Sequence, residues 1–308
     1  RDIYKGGERD YSAFAKNLSF RYSLINQGFG VTTLDLKADT AAVDIAEDID
    51  IIVIADAREA YTTEEIAKIQ RFVDRGGDMI IACEPRRQSV MNPLVERLGI
   101  TFMPGTVVEE TEGYAPNQLF LNPTEEAVKN VRGYYVMSRY DSKLSMPGAV
   151  KFIVNDNCGF TSSVLFATTS KAWNELETTD FVDDKPEINQ ETGEKMDSIP
   201  LIVRLTRQVG DKKQRIYVCG DADCMANSEL TTSRNDMSTS NFTLITETFR
   251  DLSYNEFPVN DERPHPYDDK MSISGQGALL VVRILFMGII PVGLLAGYIF
   301  TWWRRRKK

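Results

Sequence analysis

Four carboxylates lie where apolar, strand-like segments end, and they are the side chains best placed to bind a ligand. Asp56 and Glu84 each follow one such segment, and Asp221 and Asp223 lie in the turn after a third. In open α/β sheets, ligands bind beyond the carboxyl ends of the strands. Carboxylate oxygens are the ligands that Ca²⁺ and Mg²⁺ prefer. The four side chains could therefore hold a hard cation at one edge of a sheet.

A structural role for the same side chains is the interpretation that the sequence favours. Asp and Asn residues at strand ends commonly cap the next helix or form Asx turns, and nearby arginines can pair with the acids. We therefore define one candidate ligand-binding set, to which we assign no catalytic role, no metal and no cofactor: Asp56, Arg58, Glu84, Arg86, Arg87, Asp221, Asp223 and Asn227.

The four cysteines and the single histidine offer little for metal chemistry. Cys219 and Cys224 are five positions apart, which is not the spacing of a CxxC site, and zinc would need further ligands from a chain whose only histidine is His265. Together with Cys83 and Cys158 they would permit disulfides in an oxidising compartment. Two of the four end apolar runs, as buried thiols do, so the sequence favours free thiols and leaves a disulfide open.

Strand and helix patterns alternate along the first hundred residues and predict an α/β domain with a largely parallel sheet flanked by helices. The apolar run 51–55 predicts a central strand. Thr62 and Glu65 have the spacing of a capping box, so a helix is expected from there to the glycines at 76 and 77. A further strand is predicted at 79–83.

Other elements are predicted with less regular spacing. Apolar residues at 11, 14, 18, 22 and 25 predict one helix face, which Gly28 would end, and Asn92 with Pro93 would start a short helix closed by Gly99. Strands are expected at 31–36, 100–103, 149–154 and 163–168, a solvated acidic loop at 174–198, a hairpin at 199–207 and 215–219, and a last helix after Ser240 or Asn241.

The C-terminal region predicts a transmembrane helix. Residues 284–303 contain no charge, and a helix of 20 residues spans roughly 30 Å, the thickness of a bilayer core. The run ends in two tryptophans, which suit the membrane interface, and the basic cluster 304–308 that follows indicates a cytoplasmic C-terminus by the positive-inside rule. We expect four regions: an α/β domain at 1–257 with an irregular insert at about 104–198, a polar tether at 258–277, the helix at 278–303 and the tail.

The distribution of charge supports this organisation and argues against nucleic-acid binding. The net charge is −9, but six of the 36 Lys and Arg residues and none of the 45 Asp and Glu residues follow position 282. The preceding part therefore carries −15 and would be repelled by phosphate backbones. The chain starts with Arg1 and shows no apolar leader, so we expect an upstream segment, simplest as one or more transmembrane helices, to deliver the domain across the membrane.

Several motifs, in their order along the chain, resemble the Gldg family, named for a gliding-motility-associated ABC transporter component. They are residues 50–58, 72–77, 84–88, 91–94, 168–173, 214–223 and 227–230, followed by the single terminal span with its basic tail. The resemblance covers nearly the whole chain. It implies an extracytoplasmic α/β domain similar in fold to class I glutamine amidotransferases. The domain would either be attached to ABC-2 permease helices or work beside them as an auxiliary subunit, with the ATPase as a separate chain.

The amidotransferase-like fold raises the question whether Cys83 is a nucleophile, and the sequence argues against it. That nucleophile would sit on a tight glycine-lined turn, but Cys83 lies between Ala82 and the pair Glu84 and Pro85, and proline lacks the amide donor that an oxyanion hole needs. A GxxxxGK[ST] loop, which nucleotide hydrolysis would need, is likewise missing.

The sequence therefore predicts a non-catalytic extracytoplasmic domain of an ABC-2 type export system. Its expected partners are the ATPase and permease subunits of the transporter. The helix at 278–303 is expected to anchor it in the bacterial inner membrane, and no binding to nucleic acid is expected. Two alternatives remain: a stand-alone membrane-tethered module that binds an envelope polymer or ligand, and a degenerate amidotransferase-like hydrolase.

Overall fold

A computed structural model describes residues 1–37, 44–155, 158–234, 236–258 and 276–307. The chain divides into two compact units, residues 1–259 and 260–308. Most of the tether predicted at 258–277, including His265, lies outside the described residues.

Eleven strands are found among the described residues of the first unit. They are β1 (Ile51–Ala55), β2 (Asp78–Ala82), β3 (Ile100–Phe102), β4 (Thr106–Val108), β5 (Gln118–Pro123), β6 (Leu144–Pro147), β7 (Phe152–Val154), β8 (Thr161–Ala167), β9 (Trp173–Glu175), β10 (Pro200–Val209) and β11 (Lys212–Cys219). Seven of them form one sheet in the order β1-β2-β11-β10-β8-β5-β6, while β3 pairs with β7 and β4 with β9.

The large sheet is mixed, which corrects the predicted largely parallel sheet. Strands β1, β2 and β11 run parallel to one another, whereas β11, β10, β8, β5 and β6 pair in antiparallel order. One reason is local, because the short turn at Gly210 and Asp211 joins β10 to β11 as a hairpin. The segment 104–198 is also more regular than predicted, since β5, β6 and β8 extend the sheet.

Seven helices accompany these strands among the described residues. They are α1 (Ser12–Ala15), α2 (Thr63–Asp74), α3 (Gln88–Val95), α4 (Glu125–Asn130), α5 (Arg132–Arg139), α6 (Asn227–Thr231) and α7 (Asn241–Leu252). The predicted capping box of α2 is present: Thr62 accepts a hydrogen bond from the backbone of Glu65, whose carboxylate accepts one from the Thr62 backbone.

Helices cover both faces of the sheet, as predicted, because successive strand residues point to opposite sides. On β2, Ile80 and Ala82 pack into one hydrophobic cluster with residues of α5 and α7. Met79 and Ile81 pack into a second cluster with residues of α2 and α3. The sheet therefore separates two cores.

The predicted helix over residues 11–25 is wrong. Only α1 and a short 3-10 helix, Leu24–Gln27, form in this segment, and Leu18 is exposed. The reason is local competition by asparagine: Asn17 accepts a hydrogen bond from the Ser19 backbone, and Asn26 donates to backbone carbonyls of residues 17, 18 and 20. Gly28 does end the 3-10 helix, at φ 103°. Residues 31–36, predicted as a strand, form none.

The helix predicted to start at Asn92 begins earlier, at Gln88. Asn92 does not cap it. Its side chain accepts a hydrogen bond from the Phe102 backbone N–H and donates one to the Phe102 carbonyl, which attaches α3 to β3.

The second unit contains a helix that is long and apolar enough to cross a membrane. It comprises α8 (Gln276–Ile284), a π-helical turn (Leu285–Ile289) and α9 (Ile290–Arg306). The candidate span is Leu280–Arg306, with a mean hydropathy of 2.2 over its most apolar window. The π turn ends two residues before Pro291, which lacks the N–H that regular helical bonding requires.

Candidate functional site

The three parallel strands bring the predicted carboxylates together. Asp56 directly follows β1, Glu84 follows β2 by two residues and Asp221 follows β11 by two residues. Carboxylate oxygens of Glu84, Asp221 and Asp223 lie within 4.8 Å of one another. We call Asp56, Glu84, Asp221 and Asp223 the strand-end acidic cluster.

Two members of the cluster organise the turn after β11. Asp221 Oδ1 accepts hydrogen bonds from the backbone N–H groups of Asp223 (2.6 Å) and Cys224 (3.3 Å), which is an Asx turn. Glu84 Oε1 accepts from the backbone N–H groups of Ala222 (2.9 Å) and Asp223 (3.0 Å). Glu84 thus connects the end of β2 to the start of the 3-10 helix Asp223–Met225.

Gly220 is required where β11 ends. Its N–H donates to the carbonyl of Leu201, and its own carbonyl accepts from the N–H of Val150. A Cβ at this position would overlap the carbonyl oxygen of Val150. The turn that carries Asp221 and Asp223 therefore needs a residue without a side chain at its start.

The guanidinium of Arg1 occupies the centre of the cluster. Its Nη1 lies 2.5 Å from Asp223 Oδ1, and its Nη2 lies 3.3 Å from Glu84 Oε1 and 3.4 Å from Asp56 Oδ2. The Arg1 side chain is only 4% exposed. Arg1 therefore supplies a positive charge of the chain itself to three of the four cluster carboxylates.

The candidate set predicted from the sequence does not include Arg1 and contains three other arginines instead. Arg58 and Arg87 do pair with Asp56, at 3.1 and 3.2 Å. Arg86 does not join the cluster: it is exposed and donates to the carbonyl of Thr179. Residues 58 and 87 are near cluster members in sequence, whereas no local pattern links Arg1 to them.

Asn227 lies outside the cluster but holds the segment that carries Arg1. Its side-chain oxygen accepts a hydrogen bond from the N–H of Ala13, and its amide donates to the carbonyl of Gly7 and the hydroxyl of Ser12. The backbone N–H of Asn227 also donates to the carbonyl of Asp10. These bonds attach residues 7–13 to the start of α6, which helps to place Arg1 at the strand ends.

Burial and the charges of neighbouring carboxylates raise the pKa values of two cluster members, Glu84 and Asp221. Burial, with the charge of Asp223, raises the pKa of Glu84 to about 7, although Arg1 opposes the shift. Burial and the charge of Glu84 raise the pKa of Asp221 well above its ordinary value. Arg1 thus lowers the pKa of Glu84 relative to burial alone, but burial and the neighbouring carboxylates outweigh its effect.

Cys83 is buried and faces the core away from Cys219 and Cys224. It packs with residues of α2 and α3, and its thiol contacts the carbonyl oxygen of Glu84 at 3.4 Å. Burial raises the pKa of Cys83, as do the charges of Glu84 and Asp56. A thiol in this environment stays protonated and is a poor nucleophile.

Two small cavities lie away from the cluster. Each has a volume of about 90 Å³, one beside Lys151 and Glu194 and the other between Ile69 and Leu98. Neither includes a residue of the strand-end acidic cluster.

Residues 6–248 match a protein family described as an ABC-type uncharacterized transport system, and the chain belongs to this family. The protein is therefore an auxiliary component of an ABC-type transport system. No curated protein matches the sequence significantly.

Three solved structures show distant similarity. An "mmIFT52 N-terminal domain" is 14% identical with a TM-score of 0.47, covering 66% of this chain and 77% of its own. A putative ThuA-like protein from Bacteroides uniformis is 13% identical with a TM-score of 0.36. The match covers 66% of this chain and 69% of that protein. A putative ThuA-like protein from Parabacteroides merdae is 12% identical with a TM-score of 0.32. The match covers 63% of this chain and 78% of that protein.

Proposed function

We propose that this chain is a non-catalytic, extracytoplasmic subunit of an ABC-2 type export system, of the Gldg type with its amidotransferase-like domain. The observation that carries the proposal is that the family match at 6–248 and the candidate span Leu280–Arg306 belong to one chain. Such a subunit would be anchored in the bacterial inner membrane and would work beside permease and ATPase subunits.

The proposal of a non-catalytic role is supported by the ion pairs at the ends of β1, β2 and β11 and by the burial of Cys83. Arg1, Arg58 and Arg87 pair with three of the four cluster carboxylates, which could otherwise act as bases or ligands: Asp56, Glu84 and Asp223. Cys83 is buried beneath them. A reaction at these strand ends would require both an open site and an ionisable nucleophile, and the described residues favour neither.

The extracytoplasmic placement rests on charge. The part before residue 283 carries −15, whereas the residues after the apolar helix are all basic. Basic residues next to a span stay on the cytoplasmic side. The α/β unit would then lie outside, with the basic tail inside.

Site-directed labelling tests this orientation. Val182 is 89% exposed in the acidic loop, and Lys307 is exposed in the tail. In a Cys158→Ser background, we expect a membrane-impermeant maleimide to label Val182→Cys in intact spheroplasts and Lys307→Cys only after lysis. The reverse pattern would overturn the placement.

Purification of the full-length protein in mild detergent tests the partnership. We expect an ABC ATPase and permease subunits to copurify in fixed proportion, and to be lost when the helix at 280–306 is replaced by an unrelated span. Isolation of the chain alone, with binding to an envelope polymer, would favour the stand-alone module instead.

A further inference from the structure

Cys219 and Cys224 bracket the turn that carries Asp221 and Asp223. Cys219 ends β11, and Cys224 lies in the 3-10 helix that follows. Their Sγ atoms are 3.7 Å apart, which is van der Waals contact, and both side chains are buried. Both thiols also donate to one carbonyl, that of Asp221, at 2.9 and 3.2 Å.

Cys219 and Cys224 lie on one face of the sheet, whereas the other two cysteines pack on the opposite face. Cys219 and Cys224 belong to the hydrophobic cluster on the α7 side of the sheet. Cys83 belongs to the cluster on the opposite face, and Cys158 packs against that second cluster. The sheet therefore separates the pair from the other two thiols.

We infer that Cys219 and Cys224 form an intramolecular disulfide under oxidising conditions, which closes a six-residue ring around the acidic turn. Forming the bond requires the two Sγ atoms, now 3.7 Å apart, to approach to about 2 Å. The ring contains Gly220, Asp221, Ala222 and Asp223, so it would fix the residues that bind Glu84 and Arg1.

The reaction needs an external oxidant, namely a disulfide such as that of a thiol oxidoreductase or oxidised glutathione. One cysteine thiolate attacks the oxidant disulfide and releases one thiol, and the second cysteine thiolate then displaces the other. The pair loses two protons and two electrons, and the oxidant becomes two thiols. Oxidation inside the cell rests on the proposed extracytoplasmic placement, because the cytoplasm keeps thiols reduced.

Oxidation is expected during folding rather than afterwards. The contact of Cys224 with the Cys219 thiol, together with burial, raises the pKa of Cys224 well above its ordinary value. The Cys224 thiol is therefore rarely ionised in the folded chain, and its attacking thiolate forms more readily before the core closes.

The decisive experiment is a redox titration of the purified full-length protein in detergent, using glutathione buffers, in native conditions and in concentrated urea. Trypsin releases residues 216–234 as one peptide, because no Lys or Arg lies between Arg215 and Arg234. After blocking with N-ethylmaleimide, the disulfide form is two hydrogen atoms lighter and carries no label. The native protein is equilibrated by refolding from urea in each buffer, so burial cannot prevent exchange.

We expect the folded chain to favour the disulfide roughly tenfold or more over the unfolded chain, and reduction to lower the Tm by about 5 °C. Cys83→Ser should keep both effects, whereas Cys219→Ser and Cys224→Ser should each leave one labelled thiol and lose the Tm difference. If the folded chain favours the disulfide no more than the unfolded chain does, the inference is overturned.

Failure of the disulfide inference can be distinguished from failure of the proposed extracytoplasmic placement. If the disulfide forms in the titration but protein taken from cells carries two labelled cysteines, the pair stands and the extracytoplasmic placement fails. The orientation is measured independently with Val182→Cys and Lys307→Cys.

Discussion

Arg1 Nη1 lies 2.5 Å from Asp223 Oδ1, so two residues that are far apart in the sequence form an ion pair. Both side chains are almost fully buried. The pair lies at the edge of the sheet where β1, β2 and β11 end, and Arg1 also contacts Asp56 and Glu84 there.

Arg1→Ala should strongly destabilise the protein. Removing one partner of a buried ion pair leaves uncompensated charge and costs about 3 kcal/mol or more. Thermal or urea unfolding of the full chain in detergent measures the effect. Arg9→Ala is the matched control, because Arg9 lies 3.6 Å from Asp223 but is 67% exposed, and such a pair contributes about 1 kcal/mol or less. Equal effects of the two variants would contradict the central role of Arg1.

The stability of the protein should fall as pH rises from about 4.5 to 7. The folded pKa of Glu84 is raised to about 7 from an ordinary 4.5, so the folded state binds more protons than the unfolded state in this window. The contribution of Glu84 is therefore present at low pH and is lost as pH rises through the folded pKa, with a slope of up to about 1.4 kcal/mol per pH unit.

Unfolding free energies measured across this window for the unmodified chain and for Glu84→Gln test the effect. The variant should show a shallower decline. Glu112→Gln serves as the control, because Glu112 is exposed and lies outside the cluster. A Glu84→Gln profile that parallels that of the unmodified chain would exclude Glu84 as the source.

Ca²⁺ or Mg²⁺ should leave the Tm of the unmodified protein unchanged. The oxygens of Glu84 and Asp223 already contact the Arg1 guanidinium, and a ligand that bound only the folded state would raise the Tm by mass action. Differential scanning of the full chain with millimolar chloride salts provides the measurement. A rise that disappears in Asp221→Ala would reveal a metal site.

Cys83→Ala should preserve transport function and cost on the order of 1 to 2 kcal/mol of stability, because it removes only a buried thiol. Complementation of a deletion strain reports function, and thermal unfolding reports stability. Cys158→Ala, at a half-buried position, should cost less. Loss of complementation by a normally folded Cys83→Ala protein would restore the nucleophile hypothesis.

The elements that the sequence predicts correctly are those with local causes. The Thr62 and Glu65 capping box, the continuously apolar strands β1 and β2, and the hairpin at Gly210 depend on interactions within a few residues. Asp221 likewise forms its Asx turn with its own neighbours. The uncharged run 284–303 determines an apolar helix by length and composition alone.

Where local signals compete, the prediction fails. Apolar spacing at residues 11–25 favours a helix, but the hydrogen bonds of Asn17 and Asn26 end it after one turn. Asn92 has the residue type of a cap, yet its side chain binds Phe102 instead. Periodicity counts apolar positions and does not weigh these hydrogen bonds.

The sequence alone determined that acids follow three strands and that the chain ends in an apolar helix with a basic tail. Only the tertiary structure decided what those acids contact. Arg1 reaches Asp56, Glu84 and Asp223 because Asn227 binds the segment that follows it, and the thiols of Cys219 and Cys224 touch because the chain turns sharply at Gly220. These contacts join residues distant in sequence or depend on close backbone approach, so their free energy arises only after the sheet has assembled.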